Sequence, residues 1–214
     1  MKKILITGST GLLGLKLTPY LKKRFQVVEM RNRLNDIEGM RPYFEDAEFV
    51  LHLAALKEDG PSCDEFYKVN VEGTANIAKL CLEYGVKMIH FSTTAITHQD
   101  FYGITKLMAE KEVEKYTAYR YEIFRPGLQA VTLRFPSIYT GNKRLTLYYP
   151  IRQLLKDVEK IILKHDFSEY RVYKLQSKLY WLARLKKKIS YLLNFKRGIV
   201  GQLEDEHMKS HSIR

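Results

Sequence analysis

Short apolar runs alternate with amphipathic stretches along most of the chain. The first run, KILITG at residues 3–8, is rich in β-branched residues and ends in glycine, which is typical of a buried parallel strand. Leucines at helical spacing follow it, although Pro19 within that stretch predicts a kink or an irregular turn. The same patterns predict strands at 3–8, 25–30, 48–55, 86–94 and 130–135, and helices at 12–24, 69–85 and 102–116.

This alternation predicts an α/β fold, a Rossmann-like doubly wound parallel sheet, because parallel neighbours require crossover connections. Ligands of such sheets bind beyond the carboxyl ends of the strands. The turns at Gly8, Ala54, Thr94 and Phe135 are therefore expected to face one crevice.

The pattern changes after about residue 145, where we expect a short, mostly helical and basic C-terminal appendage at 146–214. Residues 151–214 contain 15 Lys and Arg against 7 Asp and Glu, within a chain of net charge +12. Such a surface suits nucleic acid, an anionic membrane or an acidic ligand, but a solvated set of basic helices is the favoured interpretation. The stretch 180–195 is also amphipathic enough to dock on a membrane surface or a protein.

Composition narrows the class of protein. The chain of 214 residues is 45% hydrophobic and 12% aromatic, as expected for a globular protein with a core. Cys63 and Cys81 form neither a disulfide framework nor a metal-binding pattern, which is typical of a reducing compartment. We interpret the charged and apolar start as a buried strand and turn rather than a signal peptide, and no run reaches the roughly 20 residues that span a bilayer. These features predict a cytoplasmic protein without a metal site.

The glycine-rich segment GSTGLLG places Gly8, Gly11 and Gly14 between the first strand and the first helix. Glycine permits a tight turn and a close approach of the backbone to a pyrophosphate, whose charge the helix N-terminus stabilises. The G-x-x-G-x-x-G spacing in this position predicts a dinucleotide-binding domain over residues 1–145.

Six segments together resemble the extended short-chain dehydrogenase/reductase family, the NAD-dependent nucleotide-sugar epimerases, dehydratases and reductases. They occur in the family's order and cover about residues 1–142; they are TGSTGLLG, VLHLAALK, VNVEGTANIAK, FSTTA, YGITKLMAE and LRFPSIYTGN. Relatives carry a larger C-terminal domain that closes over the nucleotide-sugar, so the resemblance implies a reduced substrate lid here. Ser137 stands where many relatives have a substrate-binding asparagine.

Tyr102 and Lys106 lie at i and i+4, on one face of a predicted helix. An ammonium close to a phenol lowers the phenol pKa, so Tyr102 is expected to act as a general acid or base. The resemblance implies that Lys106 also binds the nicotinamide ribose and that Thr94 polarises the reacting oxygen. Ser92 and Thr93 are expected to line the nicotinamide pocket or to pack. The short connection from Thr94 to Tyr102 puts the enclosure of a substrate in question.

Other family positions have weaker assignments. Asn70 matches an asparagine that orders the catalytic lysine, and a polar residue near a helix N-terminus is the alternative. Lys57 matches a lysine that reaches the cofactor phosphates in some epimerases, and a solvated loop lysine is nearly as good an interpretation. His52 is expected to be a packed strand residue.

The end of the second strand decides between NAD and NADP, because an acidic residue binds the ribose hydroxyls and arginine accommodates a 2′-phosphate. Arg31 occupies that position, with Arg33 nearby, and Glu29 lies two residues earlier, so NADP is favoured over NAD. Asp36 resembles the acidic residue that contacts adenine. The full set of candidate cofactor-binding residues is Gly8, Thr10, Gly11, Leu12, Leu13, Gly14, Arg31, Asp36, Ile37, Leu53, Ala54, Ala55, Lys57, Ser92, Thr93, Tyr102, Lys106 and Phe135.

The sequence therefore predicts an NAD(P)-dependent oxidoreductase, epimerase or dehydratase that acts on a nucleotide-activated sugar, with Thr94, Tyr102, Lys106 and Asn70 as catalytic residues. The alternative is a catalytically impaired NAD(P)-binding regulator or scaffold without a full substrate domain. The resemblance also implies a homodimer formed through the Tyr102 helix. Specific nucleic-acid binding is not expected, because no recognition module accompanies the basic tail.

Overall fold

The computed structural model describes residues 1–57, 62–94, 100–118, 128–135, 138–139 and 149–175. Its centre is a six-stranded parallel sheet formed by β1 (Lys3–Thr7), β2 (Gln26–Met30), β3 (Phe49–His52), β4 (Lys87–Thr93), β5 (Ala130–Phe135) and β8 (Arg171–Lys174), and a separate parallel pair consists of β6 (Ile138–Tyr139) and β7 (Tyr149–Pro150). The order of the strands in the large sheet is β2-β1-β3-β4-β5-β8. The predicted parallel α/β fold is confirmed.

Helices cover both faces of this sheet. They are α1 (Gly14–Leu21), α2 (Ile37–Phe44), α3 (Cys63–Phe66), α4 (Gly73–Tyr84), α5 (Phe101–Ala118) and α6 (Ile151–Lys164), with a π-helical turn (Tyr67–Glu72) between α3 and α4. Pro19 lies inside α1, and the helix continues to Leu21. Ser62 begins α3 with a capping box, because its hydroxyl accepts from the Glu65 amide while the Glu65 carboxylate accepts from the Ser62 amide.

Two apolar clusters hold the layers together. On one face, α1 and α6 pack against strand residues such as Ile6, Leu51 and Phe91. On the other face, α2, α4 and α5 pack against the strand positions in between, such as Leu5 and Val50. Successive strand side chains point to opposite faces, so each strand contributes to both clusters.

The sheet extends beyond the predicted boundary at residue 145. In α6, Leu154, Val158 and Ile162 are buried against the sheet, and β8 pairs with β5 along Val131–Arg134. Residues 151–174 are therefore part of the α/β layer structure rather than of a separate appendage. The difference arises because α6 has the helical pattern of an appendage, whereas its apolar stripe covers a sheet face that α1 leaves open. The predicted amphipathic stretch 180–195 lies outside the described residues.

Among the described residues, no helix has the length and apolarity needed to cross a membrane. The same part of the chain contains no group of three or more His, Cys, Asp or Glu side chains suited to a metal ion.

Candidate active site and cofactor crevice

The glycine-rich turn brings the ends of β1 and β3 into close contact. Gly8 has a φ of +68°, and a Cβ placed there would lie 2.6 Å from the Ala54 backbone nitrogen. A Cβ on Gly14, the first residue of α1, would lie 2.3 Å from the Gly8 carbonyl oxygen. Both positions therefore require glycine, and the turn between them leaves Thr10, Gly11 and Leu12 exposed.

This turn lies at the point where the strand order reverses, since β1 sits between β2 and β3. The crevice of an open α/β sheet forms at that position, beyond the carboxyl ends of the strands. The peptide of Ala54 donates to the Thr7 hydroxyl at 3.2 Å, which holds the two strand ends together. An exposed glycine turn that opens a helix fits a dinucleotide pyrophosphate, because backbone N–H groups and the helix dipole face the anion.

The end of β2 presents Arg31 with an exposed side chain, 3.7 Å from the Glu29 carboxylate. Glu29 accepts a hydrogen bond from the Lys22 amine at 2.7 Å, and this bond together with one from Ser9 lowers the Glu29 pKa. The acidic residue nearest to the expected ribose position is therefore already paired. Arg31 shares in this pairing, but its side chain is 74% exposed against 24% for Glu29.

Asp36, the expected adenine contact, is the N-cap of α2. One carboxylate oxygen accepts from the Gly39 amide at 3.0 Å and the other accepts from the Asn32 side chain at 3.0 Å. These bonds, led by the one from Asn32, lower the Asp36 pKa. Its neighbour Ile37 packs against the apolar cluster beneath α2.

Asn70 sits in the π-helical turn and joins two segments around the crevice. Its side chain pairs with both polar groups of the Leu56 residue, accepting from the amide at 2.7 Å and donating to the carbonyl at 3.0 Å. The same amide nitrogen donates to the Thr105 hydroxyl at 3.1 Å. Asn70 thus fixes the loop after β3 and the start of α5, and it meets Thr105 rather than the neighbouring Lys106.

Tyr102 and Lys106 lie one turn apart near the start of α5. The Asp100 carboxylate accepts from the Gly103 amide at 2.6 Å and so caps this helix. Tyr102 is half-buried, whereas Lys106 is 2% exposed and its amine lies 3.2 Å from Nε2 of His90. The lysine therefore points into the protein, toward β4.

The pKa values differ from the expectation for an activated phenol. Burial, with a smaller contribution from Asp100, raises the pKa of Tyr102 to about 12. Burial lowers the pKa of Lys106 to about 8, partly offset by the negative charge of Glu110. The predicted lowering of the Tyr102 pKa by Lys106 is absent from this structure, because the amine is bonded to His90 and the phenol is largely desolvated.

The three hydroxyl residues at the end of β4 have different surroundings. Ser92 is buried and donates to the Glu110 carboxylate at 2.5 Å, and Glu110 also forms an ion pair with Arg134. These contacts favour the packing alternative for Ser92 over a place in the lining of a nicotinamide pocket. Thr93 is 7% exposed, and Thr94 is half-buried at the first position after the strand.

Several other predicted cofactor-binding residues lie in the turns that follow β1 and β3 or at the end of β5. The side chains of Leu13 and Leu53 pack against the apolar cluster under α1, while Ala55 and Lys57 are exposed in the loop after β3. Phe135 ends β5 opposite Thr93, and its side chain, like Ser137, lies outside the described residues.

A buried polar layer between the sheet and α4 and α5 was not predicted. His52 bonds the hydroxyls of Thr7 at 2.8 Å and Thr74 at 3.0 Å, and its ring stacks on His90 with the centroids 5.9 Å apart. Because Thr74 donates its proton to the Asn70 carbonyl, it must accept from Nε2–H of His52, which assigns the tautomer. The period-2 alternation of His90 and Ser92 within an apolar strand was the available signal for this layer.

A family model described as the RmlD substrate binding domain matches residues 1–166, which include the glycine turn, Asn70 and α5. The chain belongs to this family. The RmlD-family match also takes in α6, which lies beyond the predicted boundary at residue 145.

Among proteins similar to this RmlD-family chain is the UDP-N-acetylglucosamine 4,6-dehydratase (inverting) of Campylobacter jejuni subsp. jejuni. The two are 32% identical over 142 residues, which cover 51% of this chain and 42% of the dehydratase. The chain thus spans less than half the length of that relative.

Solved structures share the fold. The dTDP-4-dehydrorhamnose reductase from Bacillus anthracis in complex with NADP has a TM-score of 0.67 at 19% identity, covering 90% of this chain and 81% of the reductase. The UDP-glucuronic acid 4-epimerase from Bacillus cereus in complex with NAD has a TM-score of 0.68 at 17% identity, covering 82% and 79%. At these identities the likeness establishes the architecture alone.

Proposed function

We propose that the chain is an NAD(P)-dependent oxidoreductase, epimerase or dehydratase acting on a nucleotide-activated sugar. The supporting observation is the placement of Tyr102 and the buried Lys106 at the start of α5, which Asn70 ties to the loop beside the glycine turn. The names of the similar proteins support the substrate class, since all three act on nucleotide-linked sugars.

A bound nicotinamide cofactor supplies or accepts hydride. Tyr102 exchanges a proton with the substrate oxygen, and Thr94 donates a hydrogen bond to that oxygen. With a pKa of about 12, the Tyr102 phenol is protonated at neutral pH and is ready to donate, as the reduction of a carbonyl requires. Proton abstraction requires a stabilised phenolate, so the Lys106 amine, which is bonded to His90 in this structure, has to turn toward Tyr102 for that direction of the reaction.

The test is turnover. Purified protein is incubated with NADH or NADPH and a panel of nucleotide-sugars while absorbance and products are followed. We expect Tyr102→Phe to reduce the rate roughly 10²- to 10⁴-fold, because it removes the general acid, with cofactor binding retained. Tyr84→Phe, at the exposed end of α4, is the matched control. Cofactor binding without turnover would favour the alternative, a catalytically impaired NAD(P)-binding regulator or scaffold. Failure to bind either cofactor would exclude both the enzyme and the regulator.

We infer that NADP is preferred over NAD, because Arg31 is accessible while Glu29 is paired with Lys22. Arg31→Asp is expected to weaken NADPH binding more than NADH binding, since it removes the partner of the 2′-phosphate. Arg33→Asp is the matched control for a general change in charge. An unaltered NADPH affinity in Arg31→Asp would reject this assignment.

We further propose a homodimer formed through α5. The supporting observation is a row of exposed apolar side chains at helical spacing, Phe101, Ile104 and Met108. Light scattering on the wild type and on Ile104→Glu tests this, with a dimer expected to become a monomer. A monomeric wild type at micromolar concentration would refute the proposal.

A further inference from the structure

A second group of polar side chains leads away from the crevice, on the side of Lys106 that faces the sheet. His90, in the middle of β4, is 0% exposed and accepts from the Lys106 amine across 3.2 Å. Its other ring nitrogen, Nδ1, lies 3.3 Å from the hydroxyl of Thr132 in β5. The Thr132 hydroxyl lies 2.9 Å from that of Tyr170, immediately before β8. Three contacts thus connect a buried amine to a half-buried tyrosine.

The donors and acceptors available on these groups determine the direction of each hydrogen bond from Lys106 to Tyr170. An ammonium can only donate, so His90 accepts at Nε2 and carries its proton on Nδ1. Nδ1–H then donates to Thr132, whose own proton is left to donate to Tyr170. Tyr170 is half-buried and precedes a mostly exposed strand, so we assign solvent as the partner of its hydroxyl proton. This arrangement gives each of the three contacts one donor and one acceptor.

We propose that His90 is a positioning residue for Lys106, and that Lys106, His90, Thr132 and Tyr170 form a relay that exchanges protons between the amine and solvent at β8. The use of this relay in turnover rests on the proposed function. It leaves the protein at Tyr170, immediately before the edge strand β8.

One passage along the relay conserves protons. Lys106 passes a proton to Nε2 of His90, Nδ1–H passes to Thr132, the Thr132 proton passes to Tyr170, and the Tyr170 proton passes to water. His90 is neutral before and after and has exchanged one tautomer for the other. The net change is the loss of one proton from the amine to solvent, and reprotonation runs the same steps in reverse.

The charged surroundings permit this behaviour. The groups around the ring and the amine are His52 on β3, Glu110 on α5, and Arg134 on β5, which is paired with Glu110. Burial, Lys106 and His52 all lower the His90 pKa, so the ring is neutral at physiological pH. A neutral ring can accept from an ammonium, which an imidazolium cannot do.

The first experiment needs no substrate. In full-length protein labelled with ¹³C-lysine and ¹⁵N-histidine, NMR reports the Lys106 pKa and the His90 tautomer. Below pH 8 we expect the proton on Nδ1 of His90; the opposite tautomer would overturn the proposal. His90→Phe should lower the Lys106 pKa by about one unit, because it removes an acceptor for the charged amine. An unchanged Lys106 pKa would refute the positioning role.

Two conservative variants keep the proposal testable if His90→Phe does not fold. Thr132→Val preserves shape and removes the second contact, so the preference for the Nδ1–H tautomer should weaken. Thr18→Val is its matched control, because the Thr18 hydroxyl has no partner within the described residues. If Thr132→Val left the His90 tautomer unaffected, the proposed hydrogen bond from His90 to Thr132 in the relay would be contradicted.

The second experiment measures turnover with the substrate found for the wild type. Tyr170→Phe should lower kcat severalfold and increase its solvent deuterium isotope effect, with KM unchanged, because proton exchange becomes slower. Tyr173→Phe is the control, because the Tyr173 hydroxyl contacts His165 and is not part of the relay. It should leave both values unchanged. Equal kcat in Tyr170→Phe and wild type would reject the relay. If the wild type shows no turnover, the proposed function fails, while the NMR results still decide the role of His90.

Discussion

The two faces of the sheet are formed by the same strands, but they bury side chains of different polarity. Toward α1 and α6, the buried strand positions are apolar along the length of the sheet, as at Ile6 and Phe91. Toward α4 and α5, they are apolar near the amino ends but polar farther along, at His52 at the end of β3 and His90 in the middle of β4. Burying polar groups is favourable only when they are hydrogen-bonded to each other. The first face is therefore apolar throughout, whereas the second replaces part of its apolar area with ionisable groups beside the crevice.

The largest effect is expected on the apolar face. Phe49→Ala should lower the free energy of unfolding by about 3–5 kcal/mol, because a fully buried ring that packs on Phe167 is replaced by a cavity. Denaturant titration measures the loss, which should be the same at about pH 5 and pH 8 because no buried charge changes. Leu163→Ala, on the exposed side of α6, is the control. A loss below about 1.5 kcal/mol would contradict a tightly packed face.

On the polar face, removing a charge should increase stability. The lowered Lys106 pKa corresponds to a cost of roughly 3 kcal/mol for the ammonium, and leaving His90 without its donor costs about 1–2 kcal/mol. Lys106→Met should therefore raise the free energy of unfolding at neutral pH by about 1–2 kcal/mol while abolishing turnover.

The pH dependence supplies the check on Lys106. Between pH 8 and 10.5 the unfolded chain still binds a proton that the folded protein has released, so wild-type stability rises relative to Lys106→Met. The advantage of the variant should disappear above pH 10.5. A constant difference across this range would mean that Lys106 is not the group responsible.

The histidines should make the polar face sensitive to acid. Burial lowers the His52 pKa from 6.5 to about 3, so below pH 6.5 the unfolded chain takes up a proton that the folded protein does not. Stability is then lost as the pH falls, by about 1.4 kcal/mol per pH unit for one histidine. His52→Phe should flatten the slope of unfolding free energy between pH 6.5 and 4 by that amount, whatever its effect at neutral pH. An unchanged slope would exclude His52.

The smallest effects come from a pair of buried threonines, one on each face. Thr18 in α1 has a hydroxyl without a partner within the described part of the chain, so Thr18→Val should change stability by less than about 0.5 kcal/mol. Thr74 in α4 bonds His52 and the Asn70 carbonyl, so Thr74→Val should cost about 1–2 kcal/mol. Thermal melts of the two variants measure the difference. Equal costs would remove the distinction between the faces.

Local patterns were sufficient to predict much of the fold. The strands and the longer helices were found because each has a clear period and a clear end, such as Gly85 after α4. Helix α2 was not predicted because it contains Gly39 and Pro42, although Asp36 before Ile37 is an N-cap signal. Strand β8 was not predicted because it is short and mostly exposed. The capping box of Ser62 and Glu65 was a usable signal for α3.

The sequence was sufficient to predict where the candidate site residues lie in the fold, but not which partners they contact or how deeply they are buried. The i, i+4 spacing predicted that Tyr102 and Lys106 lie together at the start of a helix. The direction of the lysine side chain depends on His90, sixteen positions away in the sequence, and on how α5 packs over β4. The same packing buries Ser92 beneath Glu110. No pattern within one segment contains that information, because burial and partners are set by neighbouring segments.

The π-helical turn at Tyr67–Glu72 also affects how related chains should be aligned. A π-turn accommodates one residue more than an α-turn, so deleting a residue here would restore regular winding and rotate what precedes it by roughly 100° about the axis. The Asn70 side-chain amide would then lose its hydrogen bonds to Leu56 and Thr105. A single-residue gap at this position in a homologue therefore marks a rebuilt site, whereas the same gap in a surface loop would be a neutral change in length.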